Sequence, residues 1–583
     1  MYRRNGLELL FSILLGVIST VSFVSLYQAI SYTSWIVLLG TFIIFTVLYA
    51  MFIRYFLSNL NSFVDFVKRP AVVAVVLIFS LLLWTSLRSS LSYLEDNNLF
   101  IVLFVYLFSY FTIVSLVLGA FHLLVHRSMT LVWTVVSRKR ILWYALPSII
   151  IFSIYLMGFF PGNMSPDSMS HWRQVQSHEF SNWHPVMYTW YMILLTSIWE
   201  SPAIIALSQI VILSLILGYG MYRLERSGVE RKWLWLVAII FAIFPINGVF
   251  SIILWKDILF NAFLFLFTIL IYNIVSTKGK WMSSYGHLVL LGATVLGVSF
   301  LRNNGLPIFI VMAILLIIAY RSYWKQLLVT LGVVAGINFV VTGPIYEAMD
   351  VKPANPNEVL SIPTQQFGKV IQEDGELTAE QQQYLGKILP LETWKKEYYP
   401  YLTDSIKFHD DYNSDIIFDD FGYYLSTWAA VLQNNVGLYV GAYLDQTSLI
   451  WQINQPEDGY TNTFSRRVYQ PNEFGMETTP VSTTLHDVIR TNLERTEDYL
   501  MEFIWRPATY TFFILLTGIA LFFKSGVRSL LIILPVFLNA GTILLALPAQ
   551  DFRYQYANFL IAFLMAIIGF ITLDTKKEKV PHE

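Results

Sequence analysis

Ionisable side chains occur at the ends of apolar stretches in four separate parts of this sequence. The first part, FFPGNMSPDSMSHWRQVQSHEFSNWHP, contains Asp167, His171, Arg173, His178, Glu179 and His184. The other three are Lys256-Asp257, Arg302-Asn303-Asn304-Gly305 and Asp551-Phe552-Arg553-Tyr554-Gln555-Tyr556. A charged group at membrane depth is costly and therefore rare, so each of these parts is a candidate functional site.

A carboxylate near several cations suits the transfer of a group away from a phosphate. The leaving phosphate gains negative charge in the transition state, which Arg and Lys stabilise in a site of low dielectric. The attacking hydroxyl needs a general base, and one ionised Asp can serve. We therefore predict Asp167 as the catalytic base and Arg302, Arg553 and Lys256 as ligands of a donor phosphate.

Further polar residues in the same four parts are candidates for holding the acceptor or supporting Asp167. They are Arg173, His184, Asp257, Glu179, Asn303 and Tyr554. The aromatic residues Trp172, Trp183, Tyr554 and Tyr556 would stack on a sugar or an isoprenoid, or else belong to the aromatic belt of a membrane interface.

Each candidate also has a purely structural interpretation. Asp167 would cap a helix that begins near Met169, the two arginines would reach the membrane interface as anchors, and Lys256-Asp257 would be a local ion pair. Outward-facing arginines oppose the positive-inside bias, which favours a function for them. The histidine spacings fit no compact zinc motif, so no metal ligand is assigned and a divalent ion stays an open option.

The composition indicates that a membrane must hold these residues. The chain has 583 residues, of which 56% are hydrophobic and 13% charged, with no cysteine and a net charge of −1. A soluble protein has about 25% charged residues. These values exclude a soluble enzyme, a disordered chain and a disulfide-stapled secreted domain. The neutral balance does not favour nucleic-acid binding, and thiol chemistry is excluded.

Apolar runs of about 20 residues, long enough to cross a bilayer as helices, recur along the chain. The fourteen predicted spans are 8–30, 33–57, 70–88, 98–125, 141–160, 202–222, 233–250, 257–275, 287–301, 305–320, 326–345, 508–523, 529–548 and 556–573. With this count every basic cluster between spans falls on one side, together with the tail residues Lys576, Lys577 and Lys579. Basic loops stay in the cytoplasm, so both termini are predicted cytoplasmic and the four polar parts extracytoplasmic.

Two apolar stretches are excluded from the spans, because a crossing in either would invert the spans that follow. Residues 186–199 are too few to cross and are predicted to lie along the outer membrane surface. Residues 421–451, interrupted by Gln433, Asn434 and Asn435, are predicted to form a helix docked on the same surface. The turn-rich stretch 352–420 is predicted to be a small ordered cap with some helix.

The near-zero net charge conceals a strong segregation. Residues 346–505 contain 25 Asp and Glu against 10 Lys and Arg, a net charge of −15, and the rest of the chain carries +14. We predict four regions: an accessory four-helix bundle at 1–135, a membrane core at 136–345 with a catalytic outer loop at 161–201, an acidic extracytoplasmic segment at 346–505, and three C-terminal spans with a cytoplasmic tail at 506–583.

At the polar residues the sequence resembles glycosyltransferases of the C-type fold (GT-C), the superfamily of protein O-mannosyltransferases and lipid A aminoarabinose transferase. In PGNMSPDSMSHW, Asp167 stands where that superfamily has its catalytic Asp. More narrowly, MSPDS, NWHP, WKD, RNNG and DFRYQY together resemble a poorly characterised family of membrane proteins from Gram-positive bacteria. The resemblance spans roughly residues 141–573. It leaves out the first four spans.

The pattern of spans predicts an all-α polytopic membrane protein with about 14 transmembrane helices and a mixed, mainly helical extracytoplasmic segment, and the resemblance implies that the fold is GT-C-like. The resemblance also implies an enzyme of the plasma membrane that transfers sugar, with inversion, from a polyprenyl-phosphate donor to a cell-surface acceptor. Many members carry a second acidic residue beside the first, whereas Ser168 follows Asp167 here; Glu179 or Asp257 would fill that role. The alternatives are a transporter or flippase of lipid-linked saccharides, or a polysaccharide polymerase or ligase.

Overall fold

The computed structural model describes residues 2–27, 34–87, 98–354 and 356–573, and this part of the chain is predominantly helical. Within it, nine helical segments are long and apolar enough to cross a membrane. The protein is therefore an all-α, multi-pass membrane protein. Eight of these segments coincide with predicted spans, whereas the ninth, Thr483–Ser525, contains the predicted span 508–523 but begins well before it. The other five stretches contain shorter or interrupted helices, such as Tyr285–Leu301 and Leu534–Leu545.

The N-terminal region is a bundle of long helices. Its helices are α1 (Tyr2–Tyr27), α2 (Trp35–Ser58), α3 (Leu60–Val67), α4 (Pro70–Leu87) and α5 (Leu99–His126). The predicted span ends at 28–30, 33 and 88 lie outside the described residues. The bundle packs on the C-terminal part of the chain through ring contacts such as Phe121 with Phe523, whose centroids are 5.3 Å apart.

The membrane core follows. Its helices are α6 (Arg140–Gly158), α7 (Pro166–Ser177), α8 (Val186–Thr196), α9 (Pro202–Arg226), α10 (Arg231–Ile243), α11 (Pro245–Phe250), α12 (Lys256–Ser276), α13 (Tyr285–Leu301), α14 (Gly305–Ala319), α15 (Trp324–Val340) and α16 (Tyr346–Ala348). Apart from its first residue and Phe263, which are partly buried, α12 is buried along its whole length. A helix that is apolar on every side belongs in the middle of a bundle, and α12 contacts α9, α13 and α27 (Tyr556–Ile568).

The acidic segment forms a small helical unit with its own apolar core. Its helices are α17 (Ser361–Gln372), α18 (Ala379–Ile388), α19 (Leu391–Glu397), α20 (Asp404–Lys407), α21 (Asp415–Asp419), α22 (Phe421–Asn434) and α23 (Val436–Trp451). The core includes Phe367, Trp394 and Tyr424. The last helix of the segment, α24 (Thr483–Leu500), packs instead on the membrane core, where its Ile489 and Leu493 are buried.

The prediction of one helix over 421–451 is wrong, because α22 and α23 are separate. Between them Asn435 has a non-helical backbone, with φ of −128°. Its side-chain amide donates to the carbonyl oxygens of Glu376 and Val431, and its Oδ1 accepts from the Glu376 backbone N–H. The break is therefore held by hydrogen bonds to the neighbouring loop, which compete with continuation of the helix.

The C-terminal region comprises α25 (Pro507–Ser525), α26 (Leu534–Leu545) and α27, followed by a short strand. This strand, β2 (Ile571–Thr572), pairs in parallel with β1 (Met129–Thr130), which lies just after α5. The predicted basic tail at Lys576, Lys577 and Lys579 lies outside the described residues.

The basic loops gather at one end of the membrane helices. The β1–β2 pair joins the loop after α5 to the end of α27, and the Lys524 ammonium donates to the carbonyls of Leu124 and Gly569. Arg528 lies over the ring of Tyr320, so the loops at the ends of α14 and α25 meet there as well. The four polar parts identified in the sequence lie at the opposite ends of these helices. Which end faces the cytoplasm remains a prediction.

Candidate active site

The four polar parts of the sequence meet in one cavity of about 490 Å³. Eight of the predicted site residues line it: Asp167, His184, Lys256, Asp257, Arg302, Asn303, Arg553 and Tyr554. Helices α7, α12 and α14 and the turn before α27 each bring residues to it from their ends. Residues more than 380 positions apart thus share one chamber.

Asp167 lies in the first turn of α7, whose start is fixed by neighbouring serines. Ser165 is the N-cap, and its hydroxyl accepts from the backbone N–H of Ser168. In return, the Ser168 hydroxyl accepts from the backbone N–H of Ser165. The Ser168 hydroxyl also donates to the Leu254 carbonyl at 2.8 Å, tying α7 to the start of α12. The capping interpretation of Asp167 is therefore wrong: the helix starts before Met169, and Ser165 satisfies its end. The Asp167 carboxylate is left to face the cavity.

Two groups hold the Asp167 carboxylate. Arg553 Nη1 donates to Oδ2 at 2.7 Å, and His184 Nε2 lies 3.7 Å from Oδ1. Burial on its own raises the pKa of Asp167, but Arg553, His184 and Lys256 more than offset it, so this pKa lies well below its usual range. Asp167 is therefore ionised whenever the cavity is arranged in this way.

The neighbouring lysine determines the tautomer of His184. Lys256 Nζ lies 3.2 Å from His184 Nδ1. An ammonium only donates, so Nδ1 accepts and the ring proton is on Nε2, facing Asp167. Burial, with the charge of Lys256, lowers the pKa of His184 to about 3, which leaves the ring neutral. His184 therefore turns an N–H towards the carboxylate, at a distance of 3.7 Å that is longer than a hydrogen bond.

Asp257 is a second, fully enclosed carboxylate, with 1% of its side chain exposed. Arg302 Nη1 donates to its Oδ1 at 2.6 Å, while Lys256 Nζ lies 3.5 Å and Arg553 Nη1 3.9 Å from Oδ2. Its nearest cation is therefore Arg302, which follows the last residue of α13 and lies 45 positions away in the sequence. The local Lys256–Asp257 ion pair is thus only one part of a larger charge network.

Arg553 is fixed on its other side by Asp551. Its Nε lies 3.0 Å from Asp551 Oδ2, and its backbone N–H donates to Oδ1. The guanidinium lies over the ring of Trp255 at 4.6 Å. Burial raises the pKa of Asp551 to about 6. With 13% and 17% of their side chains exposed, Arg553 and Arg302 are enclosed ligands of carboxylates and not anchors that reach outwards.

Asn261 was not singled out in the sequence, yet it positions this cluster. Its amide donates to the carbonyls of Asp257 at 2.7 Å and Arg553 at 2.8 Å, and its Oδ1 accepts from Ala557 N–H. It thereby fastens the turn before α27 to the first turns of α12. The available signal was an Asn within an apolar helix, one turn after Asp257.

Two predicted site residues lie elsewhere. Arg173 is exposed and its Nε donates to Glu473 at 2.6 Å. Glu179 is exposed in the loop after α7, and does not line the cavity. The suggestion that Glu179 is a second acidic residue therefore loses its structural basis, whereas Asp257 and Asp551 lie beside Arg553.

The cavity does not suit a divalent cation as it is arranged. Asp167 and Asp257 are each bonded to a guanidinium, and Lys256 lies between them. Such a set of cations repels a metal ion and occupies the carboxylate lone pairs. Across the described residues there is no cluster of three His, Asp or Glu side chains that would hold one.

Comparison with known proteins places the chain in a family without establishing an activity. Residues 9–582 match the Family of unknown function (DUF6020), and the chain belongs to it. No curated protein and no solved structure matches the sequence. The family spans almost the whole chain, including the N-terminal bundle. What the protein does has to be inferred from the cavity.

Proposed function

We propose that this member of the DUF6020 family is an extracytoplasmic glycosyltransferase of the GT-C type. It moves a sugar from a polyprenyl-phosphate donor to a cell-surface acceptor, which is a wall polymer, a glycolipid or a protein. The observation that carries the proposal is the meeting of Asp167 with Lys256, Arg302 and Arg553 in one cavity at the ends of apolar helices. The active site faces outwards and both termini are cytoplasmic in this proposal.

The charges of the cavity suit a phosphodiester. Its walls carry three cations against the carboxylates of Asp167 and Asp257, and Asp551, outside the lining, holds Arg553. A sugar linked to a lipid through one phosphate carries one negative charge. As the bond to the sugar breaks, a second negative charge develops on that phosphate, and the guanidinium groups stabilise it in this enclosed site.

The remaining walls suit the other parts of such a donor. Val359, Ile543 and Ala546 provide apolar surface for the start of the lipid chain. Trp183 and Tyr554 provide aromatic surface for the sugar ring. One cavity therefore offers a separate surface to the lipid, the phosphate and the sugar.

In the proposed reaction the acceptor hydroxyl oxygen attacks the anomeric carbon of the sugar. A new glycosidic C–O bond forms while the bond from that carbon to the phosphate oxygen breaks, and the phosphate leaves with the electron pair. The hydroxyl proton passes to the Asp167 carboxylate. The products are the glycosylated acceptor and the polyprenyl phosphate. The attack on the face opposite the phosphate inverts the anomeric carbon.

The ion pair with Arg553 makes Asp167 a weak base in the free protein. A donor phosphate beside Arg553 competes for the same guanidinium, at Nη1, which now binds Asp167. Transfer of this hydrogen bond to the phosphate raises the pKa of Asp167 towards its ordinary value. The base therefore becomes effective when the donor is in place.

The test compares the cell-envelope glycans of a deletion strain complemented with wild type, Asp167→Asn or Asp374→Asn. Asp374 is a carboxylate that does not line the cavity, with 81% of its side chain exposed. We expect wild type and Asp374→Asn to restore the missing glycan and Asp167→Asn to leave it missing, at normal protein levels. A restored glycan with Asp167→Asn would overturn the enzyme assignment and favour a transporter or flippase, which needs no base.

A further inference from the structure

A second cavity of about 350 Å³ lies beside the first. Its walls are residues 164–166, Trp255 and the loop 462–469 of the acidic segment. None of its lining residues lines the first cavity. It is therefore a separate chamber, built jointly by the membrane core and the acidic segment.

The two cavities are lined by residues that are adjacent in the chain or in contact with each other. Pro166 lines the second cavity and Asp167, the next residue, lines the first. Trp255 lines the second cavity and carries Arg553 of the first on its ring. Asn462 lines the second cavity and donates to Asp551, the residue that holds Arg553. A ligand in the second cavity would therefore lie one residue away from the proposed base.

The loop 462–469 is firmly attached at this position. Met164 N–H donates to the Arg467 carbonyl at 3.2 Å, and Tyr469 N–H donates to the Met164 carbonyl at 2.9 Å. Asn462 N–H donates to the Gln550 carbonyl at 2.8 Å. Backbone bonds on both sides give the wall a fixed form. A preformed wall loses less conformational entropy when a ligand binds.

The charge of this wall differs from that of its surroundings. Between Lys407 and Arg490, eleven Asp and Glu residues accompany only two basic residues, Arg466 and Arg467, and both line the cavity. Arg466 is neutralised by Glu494 and Glu497. Among the described residues, Arg467 forms no ion pair. A guanidinium kept free in an acidic segment is available to bind an anionic group.

The other walls suit a sugar chain. Phe464, Tyr469 and Trp255 provide aromatic surface, on which the apolar face of a sugar ring packs. Asn462 and Ser465 provide amide and hydroxyl groups that bond to sugar hydroxyls. This mixture of aromatic, amide and guanidinium groups recognises a polar ring that carries a negative charge.

We propose that the second cavity binds an anionic saccharide, one that bears phosphate or carboxylate groups, as the acceptor chain. Its role as acceptor rests on the proposed glycosyl transfer, while its binding does not. The end of the bound chain passes the Ser165–Pro166 turn and presents a hydroxyl to Asp167. Because the acidic segment repels anions elsewhere, only anionic saccharides whose charged group reaches Arg467 bind.

Binding to full-length protein in nanodiscs tests this proposal. The probes are fluorescent oligosaccharides of equal length: a phosphorylated maltooligosaccharide, an oligogalacturonate and a neutral maltooligosaccharide. The variants are Arg467→Ala and the control Arg490→Ala, an arginine with 48% exposure on α24 that does not line the cavity. Melting temperatures establish that both variants are folded.

We expect one charged oligomer to bind wild type and Arg490→Ala equally and Arg467→Ala roughly 10-fold more weakly or worse, since a hydrogen bond to a charged group contributes about 1.5–3 kcal/mol. The tighter of the two charged probes identifies phosphate or carboxylate as the group recognised. Unchanged binding by Arg467→Ala, or equal binding of the neutral oligomer, overturns the proposal. If Arg467→Ala weakens binding although Asp167→Asn still restores the glycan, the saccharide site stands and the proposed function fails.

Discussion

Arg553 Nη1 donates to Asp167 Oδ2 at 2.7 Å and joins two residues that lie 386 positions apart. One belongs to the first turn of α7 and the other to the turn before α27. This ion pair links two parts of the membrane core at the end opposite the two paired strands, β1 and β2. It also makes the proposed base and the proposed phosphate ligand partners of each other, so a change in either alters both.

Substitution of Arg553 separates its structural role from its chemical role. Arg553→Ala leaves Asp167, Asp257 and Asp551 without their shared cation, and removal of one partner from a buried ion pair costs about 3–5 kcal/mol. We expect a clear loss of thermal stability and no transfer. Arg553→Lys keeps the charge, but one ammonium cannot lie beside both Asp167 and Asp551 as Nη1 and Nε do, so we expect a folded protein with at least roughly 10-fold weaker donor use.

Melting temperatures in detergent and the apparent affinity for the donor measure these two effects. Arg528→Lys is the control, since Arg528 lies at the other end of the helices, over Tyr320. Equal donor use by Arg553→Lys and wild type would contradict the phosphate role.

The ion pair between Arg302 and Asp257 predicts a rescue. Arg302→Ala alone leaves Asp257, which is 1% exposed, without its nearest cation, and we expect a loss of about 3 kcal/mol or more. Arg302→Ala with Asp257→Asn removes both charges, so the double variant should melt at a higher temperature than Arg302→Ala. A double-mutant cycle from melting curves measures the coupling. Additive effects of the two substitutions would show that the pair is not coupled.

Asn261 should matter for stability although it does not line the cavity. Asn261→Ala leaves the carbonyls of Asp257 and Arg553 and the N–H of Ala557 without this partner. Each buried polar group left unsatisfied costs about 1–3 kcal/mol. We expect a lower melting temperature and weaker donor use together, because the turn carrying Arg553 is released from α12. The matched control is Asn492→Ala, an exposed asparagine on α24. An unchanged melting temperature and unchanged activity of Asn261→Ala would show that Asn261 does not position the site.

Asp551 gives the protein a specific pH dependence. Burial raises its pKa from the ordinary 3.8 to about 6, so between these values the folded state holds a proton that the unfolded state has lost. Stability therefore falls as the pH rises through this range, by about 3 kcal/mol at most, and does not fall further above pH 6.

Asp551→Asn removes this titration and leaves the other groups in place. The difference between the unfolding free energies of wild type and variant should therefore change between pH 4 and 6 and stay constant from pH 7 to 8. Thermal or denaturant unfolding at each pH measures it. A constant difference across the whole range would show that Asp551 is ionised throughout.

The chain contains no cysteine, so single cysteines can map its orientation. Glu380→Cys places a thiol on α18 of the acidic segment, and Ser284→Cys places one in the exposed turn before α13, at the basic end. In intact cells a membrane-impermeant maleimide should label Glu380→Cys, and should label Ser284→Cys only after permeabilisation. The reverse pattern would place the proposed active site in the cytoplasm.

Much of the architecture is determined by the sequence alone. Long charge-free apolar runs must be helices in a membrane, because every backbone N–H and C=O needs a partner there. Eight such runs were located within a few residues of the membrane-length segments found, and for the ninth only its C-terminal part was located. Because successive helices cross in opposite directions, basic loops and polar loops must alternate between the two ends of the bundle. This alternation placed the polar loops at one end, and eight of the residues predicted from them line the cavity, among them Asp167, Lys256, Arg302 and Arg553.

Only the tertiary structure decided which polar residues are partners. Arg173 and Glu179 lie close to Asp167 in the sequence but face away from the cavity, whereas Asn261 and Asp551 complete the network. The length of a membrane-spanning helix depends on the hydrophobicity of its own residues, which can be read directly from the sequence. The partner of a buried charge depends on which distant turn is packed against it, and this is determined by the summed packing of all the helices between them.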